Sequence, residues 1–135
     1  MIHRIIRCAV CVLCLAAVDL AARGADTNEL EFIQSERQLG TFTNAVDVPV
    51  TFVLTNRSDR TVKITFSGTT CHCTTVANAP DEIRAHGTGK VELNFMPSLA
   101  SGEVTQAVEI ETDAKQILGA QFTANVELPV GRGHP

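Results

Sequence analysis

Over most of its length the chain alternates apolar and polar residues with a period of two, the mark of strands that bury one face. Val48, Val50, Phe52 and Leu54 alternate with Pro49, Thr51, Val53 and Thr55. Val62, Ile64 and Phe66 follow, opposite Lys63, Thr65 and Ser67. After the turn His86-Gly-Thr-Gly89 come Val91, Leu93 and Phe95, opposite Lys90, Glu92 and Asn94. Val104, Val108 and Ile110 oppose Thr105, Glu109 and Glu111, and a last run carries Phe122, Ala124, Val126 and Leu128. Turn-forming clusters separate these runs at Asn56-Arg-Ser-Asp59, Asn78-Ala-Pro-Asp81, Pro97-Ser-Leu-Ala-Ser-Gly102 and Thr112-Asp-Ala-Lys115. No stripe at helical spacing interrupts them.

Short strands with one apolar face each bury those faces by packing two antiparallel sheets together. The pattern therefore predicts an all-β chain: an immunoglobulin-like antiparallel β-sandwich forming a single domain over residues 30–128. Its predicted core holds Phe52, Leu54, Ile64, Phe66, Leu93, Phe95, Val108, Ile110, Phe122 and Val126.

The N-terminus breaks the alternation. Arg4 and Arg7 precede an apolar stretch from Cys8 to Val18, and small residues follow at Ala21, Ala22, Gly24 and Ala25. This order reads as a secretory signal peptide over residues 1–24, with its helix removed by cleavage near Gly24 or Ala25. The apolar run is about half of the roughly 20 residues that span hydrocarbon, so no stable membrane span is expected after cleavage. Residues 25–29 read as a linker and 129–135 as a disordered tail. The expected location is exported, either periplasmic or extracellular.

Cys8, Cys11 and Cys14 fall inside the signal segment, where cysteine serves as a small hydrophobe. Val10 and Leu13 precede two of them where a lipidation signal needs a small residue, which argues against a lipid anchor.

Cleavage at 24 leaves 8 basic and 14 acidic side chains, a net charge of −6. That balance recruits neither nucleic acid nor an anionic membrane. About 110 residues suffice for one core without several disulfides. There is no Gly-x-Ser-x-Gly elbow, no phosphate-cradling glycine loop and no paired-histidine helix, so no conventional enzyme is expected. Asp81-Glu82 and Glu109 to Glu111 read as solvated turn and outward strand positions.

The order of the pieces carries more than their type. "LGTFTNAVDVPVTFVLTNRSDRTVKITFSGTTCHCTTV", then "GTGKVELNF" and "SGEVTQAVEIETD", resembles the bacterial family known as domain of unknown function 1573. Gly40, Asn56, Cys71, Cys73, Thr74, Gly87 and Gly102 match its pattern, over roughly residues 30–128. Its Cys-x-Cys-Thr usually has glycine in the middle, and here the position is His72. The resemblance implies an Ig-like architecture shared with major-sperm-protein and Hydin-type modules, which mainly bind other proteins. A structural or protein-binding role follows as the expectation, with another exported or cell-envelope protein as partner.

Cys71 and Cys73 are the only cysteines of the mature chain. In an exported protein a disulfide is the default for thiols that can meet. In an extended strand, residues two apart lie near the upper limit of disulfide reach, so a bridge between them needs a bend. Loop entropy for so small a ring is worth only about 1.6 kcal/mol, which points to an accessible, easily reduced pair rather than a staple.

Two alternatives remain open: thiol–disulfide exchange through Cys71 and Cys73, and soft-metal binding. Two thiolates suit Cu(I), whereas zinc wants four ligands and only His72, His86 and His134 could add to them. His72 joins Cys71 and Cys73 only if the segment bends. His86 reads as a surface residue, and His134 lies in the tail. No other cofactor is expected.

Overall fold

The structure, a computed structural model, describes residues 28–43 and 46–127. The expected signal peptide, most of the linker, Leu128 and the expected tail lie outside the described residues. Nine strands are described: β1 (Leu30–Phe32), β2 (Glu36–Phe42), β3 (Val48–Asn56), β4 (Val62–Thr69), β5 (Thr74–Asn78), β6 (Glu82–Ile83), β7 (Thr88–Phe95), β8 (Gly102–Thr112) and β9 (Ile117–Val126). They form a four-stranded sheet, β1-β3-β7-β5, and a five-stranded sheet, β2-β9-β8-β4-β6. The two pack face to face as an Ig-like β-sandwich. No helix among the described residues is long and apolar enough to cross a membrane.

The leader strand serves both sheets. β1 pairs antiparallel with β3, and β2, three residues on, pairs parallel with β9. This one parallel pairing departs from the all-antiparallel expectation, because a strand that changes sheets without reversing runs alongside the last strand. Polar Gln34 and Ser35 span the switch, where Ser35 accepts a hydrogen bond from the Gln121 amide at 2.7 Å. Gly40, at φ +84°, follows the break in β2 register beyond Gln38, a conformation that favours glycine.

The core is aliphatic with a short aromatic chain running through it. Phe42, Phe95 and Phe122 meet edge to face at centroid distances of 6.1 and 5.2 Å, and Phe32 meets Phe52 at 5.9 Å. Phe52, Leu54, Leu93, Phe95, Val108, Ile110, Phe122 and Val126 are buried as their alternation predicts.

Phe66 is a correction. It is 50% exposed, and Ile64 is only half-buried. Ile64 lies opposite Thr112 but Phe66 opposite Glu111, so β4 spends two residues where β8 spends one. The bulge reverses the alternation beyond it, as a one-residue slip must. Ser67 and Thr69 then pair with the buried Ile110 and Val108.

A buried amide closes the pole opposite the end of β4. Asn56 Nδ2 donates to the carbonyls of Arg60, Ile83 and Arg84 at 2.8, 2.9 and 3.1 Å, while Oδ1 accepts from the Ser58 amide and hydroxyl. The side chain thereby ties the β3–β4 turn to β6 at a site where unpaired backbone carbonyls would be costly. On the surface nearby, Arg60 bridges Glu29 and Asp113, reaching Asp113 at 2.9 and 3.0 Å.

Candidate functional site

β4 ends at Thr69 in one sheet and β5 begins at Thr74 in the other, so the four residues between them cross the edge of the sandwich. Those residues are Thr70, Cys71, His72 and Cys73. Backbone bonds fix both cysteines. The Thr70 amide donates to Ala107 of β8 at 3.1 Å, and the Thr74 amide donates back to Cys71 at 3.2 Å, closing the turn. The Met96 amide donates to the Cys73 carbonyl at 2.8 Å. The Thr69 hydroxyl reaches across to the Thr74 carbonyl at 2.6 Å.

The bend that bridging required is thus present. Cys71 and Cys73 are free thiols with their sulfurs 2.6 Å apart, and the Cys73 amide donates to Cys71 Sγ at 3.2 Å. The two are not equivalent. Cys71 is half-buried, whereas Cys73 is 3% exposed and belongs to the core. The expectation that both thiols are accessible is corrected here: the turn faces one outward and folds the other in.

Their acidities diverge for the same reason. Hydrogen bonds from the Cys73 thiol and then from the Cys73 amide hold the Cys71 thiol below the ordinary thiol range. Burial pushes Cys73 up, and the hydrogen bond and charge of Cys71 add to it. The Thr74 hydroxyl opposes that rise without reaching full hydrogen-bonding geometry: its oxygen is buried and has no partner among the described residues. Of the two, Cys71 is therefore the thiol whose reactive thiolate form is favoured.

His72 is exposed, and among the described residues no three His, Cys, Asp or Glu side chains converge. The turn unites Cys71 and Cys73 but does not bring His72 to them as a third ligand. His86 lies at the other pole, exposed at φ +57°, its Nε2 2.7 Å from Asp59 Oδ1. His134 lies outside the described residues. An open groove of about 320 Å³ lined by Ser35, Glu36, Ala107, Gly119, Ala120 and Gln121 contains neither cysteine.

Met96 and Thr74 escaped sequence reading as parts of the site. Met96 lies just past the end of an alternating strand, and only the pairing of β5 with β7, carried one step further, sets its amide against the Cys73 carbonyl. Thr74 carried a signal in the Cys-x-Cys-Thr order, but its burial depends on β5, which shows no clear alternation.

Residues 30–126 match the family described as protein of unknown function (DUF1573), and the chain belongs to that family. No curated protein matches the sequence. Among solved structures, the chain is similar to a protein of unknown function from Porphyromonas gingivalis W83, at 12% identity and a TM-score of 0.63. That match covers 71% of this chain and 46% of the other, so the chain spans under half of that protein's length. It is similar to an ASH/PapD-like domain of human CEP192, at 14% identity and a TM-score of 0.61, covering 76% of this chain and 87% of that one. Part of the Vibrio cholerae VesB protease also matches, at 13% identity and a TM-score of 0.60, covering 73% of this chain and 32% of the protease. At such identities these likenesses show the fold alone.

Proposed function

We propose that this chain is an exported, non-enzymatic Ig-like module that binds another exported or cell-envelope protein, and that Cys71 and Cys73 are the redox-active point of that contact. The observation that carries the reading is the split within one turn: the half-buried Cys71 thiol lies 2.6 Å from the buried Cys73 thiol, an arrangement that holds the pKa of Cys71 down and pushes that of Cys73 up. Export rests on the N-terminal pattern of Arg4, Arg7 and the apolar run after them. The protein-binding part rests on the architecture that the family resemblance implies is shared with major-sperm-protein and Hydin-type modules, which mainly bind other proteins.

The exchange balances as follows. The Cys71 thiolate attacks one sulfur of a partner disulfide, forming a mixed disulfide and releasing the other partner sulfur as thiolate. Cys73 then loses its proton to that thiolate or to water and attacks Cys71 Sγ. The Cys71–Cys73 disulfide forms and the second partner sulfur leaves. The partner disulfide is reduced by two electrons and the module oxidised by two; run backwards, the module oxidises a dithiol. The hydrogen bonds from Cys73 favour the Cys71 thiolate, which is the form that attacks.

Reduced mature protein mixed with glutathione disulfide tests this. Wild type is expected to lose two hydrogens and close the Cys71–Cys73 bond, while Cys73→Ala accumulates a glutathione adduct on Cys71. A wild type that stays reduced, or keeps the adduct as Cys73→Ala does, overturns the reading.

Met96 favours one second reading. Its amide donates to the Cys73 carbonyl one step beyond the β5–β7 ladder, and its thioether, if turned to the pair, would add a neutral soft donor to two thiolates, a set that suits Cu(I) and leaves Zn(II) short. Competition between reduced protein and a Cu(I) chelator tests it. Binding that weakens in Met96→Leu supports a copper site, and no uptake at micromolar Cu(I) removes it.

A further inference from the structure

The pole that carries the cysteine turn is apolar and acidic: among the described residues it holds no Lys or Arg, and the exposed His72 lies in the turn itself. Register builds it. Phe95 faces Val48 on one side and Thr74 on the other, so one step beyond the strands Asp47, Met96 and Cys73 share a row. Strands about 4.8 Å apart put Asp47 roughly 10 Å from Cys73. Val46, ahead of β3, and Leu99, in the 3-10 turn after Met96, are 65% and 63% exposed and flank the row. Glu103 and Glu127 stand where β8 begins and β9 ends, at the same pole.

The seven described Lys and Arg side chains lie elsewhere: Arg37 and Lys90 within strands, the others on or beside the turns of the opposite pole. Basic groups there are partly spent on local pairs, Arg57 with Glu31 and Arg60 with Glu29 and Asp113. The opposite pole carries acids too, among them Glu29, Glu31, Asp59, Asp81, Glu82 and Asp113, but mixes them with its Lys and Arg; the thiol pole is set apart by acids with no Lys or Arg among them.

We propose that this pole is the docking rim for the exchange partner, and that it selects an exported polypeptide whose cysteine sits in an apolar, Lys- or Arg-bearing segment. The proposal rests on the redox reading of Cys71 and Cys73. Val46 and Leu99 offer apolar contact at the same pole as the half-buried Cys71, for the residues that flank a partner's cysteine along its chain. Asp47, Glu103 and Glu127 raise the local concentration of a cationic segment and repel an anionic one.

Three oxidants presented to the reduced mature protein test this: hydroxyethyl disulfide, and two peptide disulfides alike in apolar residues, one bearing Lys and the other Glu. The Lys peptide is expected to oxidise the protein about tenfold faster than the Glu peptide at low salt, a ratio typical of modest steering. That ratio should fall towards one at high ionic strength and in the triple variant Asp47→Asn, Glu103→Gln, Glu127→Gln. Val46→Asn with Leu99→Asn should slow both peptides. Equal peptide rates while hydroxyethyl disulfide reacts, or a ratio unchanged in the triple variant, overturn the rim and leave the redox reading standing. No oxidation by hydroxyethyl disulfide removes both.

Discussion

The ring of Phe66 lies over the bare backbone of Gly68, so close that a Cβ at residue 68 would stand 2.6 Å from its Cζ. The pair lies on the outward side of β4, beyond the bulge, where an exposed aromatic ring covers a glycine that packs nothing itself. Phe66→Ala should accordingly cost about 1 kcal/mol or less, whereas Phe122→Ala, fully buried against Phe95, should cost about 3–5 kcal/mol. Urea unfolding of both variants checks the contrast. Equal losses would mean that the bulge at Thr65 is absent in solution.

The same pair shows where sequence reading reaches its limit. Strands β3, β7, β8 and β9 were legible because their apolar residues keep a strict period of two, and Phe52, Leu93, Ile110 and Phe122 are buried accordingly. Ile64 and Phe66 keep that period in sequence, but the extra residue between them reverses the faces, and no local signal at Thr65 announces it. β5 and β6 were not legible because an edge strand of five residues and a bridge of two show too little alternation to stand out. The cysteine pair was legible as a candidate from its spacing. Its asymmetry was not, because the burial of Cys73 depends on the crossing from one sheet to the other.

Asn56 should be among the least replaceable polar residues. Asn56→Ala removes one donor from each of the Arg60, Ile83 and Arg84 carbonyls; Arg60 keeps the Ser58 hydroxyl and Arg84 the Gly87 amide, and a loss of about 1–3 kcal/mol is expected. Asn56→Asp, which keeps the shape but removes both N–H donors, should fare no better. Thermal or urea unfolding decides. A loss of a few tenths would mean that water replaces the amide freely.

Asp113 supplies the pH dependence. The hydrogen bond from Arg60 holds its carboxyl below the usual range, with the charge of Arg60 adding to it and partial burial opposing it. A depressed folded pKa contributes stability above the unfolded value and loses it as pH falls through the folded one. Wild type should therefore exceed Asp113→Asn in stability at pH 7, and the two should converge as pH drops below about 4. Salt should narrow the gap at pH 7, since the pair is exposed. A gap independent of pH and salt would contradict this.

The two cysteines should tolerate substitution unequally. Cys71→Ser lies at the half-exposed edge and should cost under about 1 kcal/mol. Cys73→Ser buries a hydroxyl in the core, at a cost of about 1–3 kcal/mol, and Cys73→Ala should be milder. Comparable urea midpoints for the two serine variants would place both thiols in the same environment.

The division of labour between those thiols is the central claim, and site-resolved alkylation of the reduced protein across pH measures it most directly. Cys71 should react with iodoacetamide first, with an apparent pKa below the ordinary thiol value of about 8.5, while Cys73 reacts slowly and only at higher pH. In Cys73→Ala the apparent pKa of Cys71 should rise, because its largest stabilising hydrogen bond is gone. Equal rates at both cysteines with ordinary titration, or Cys73 reacting first, would contradict the account.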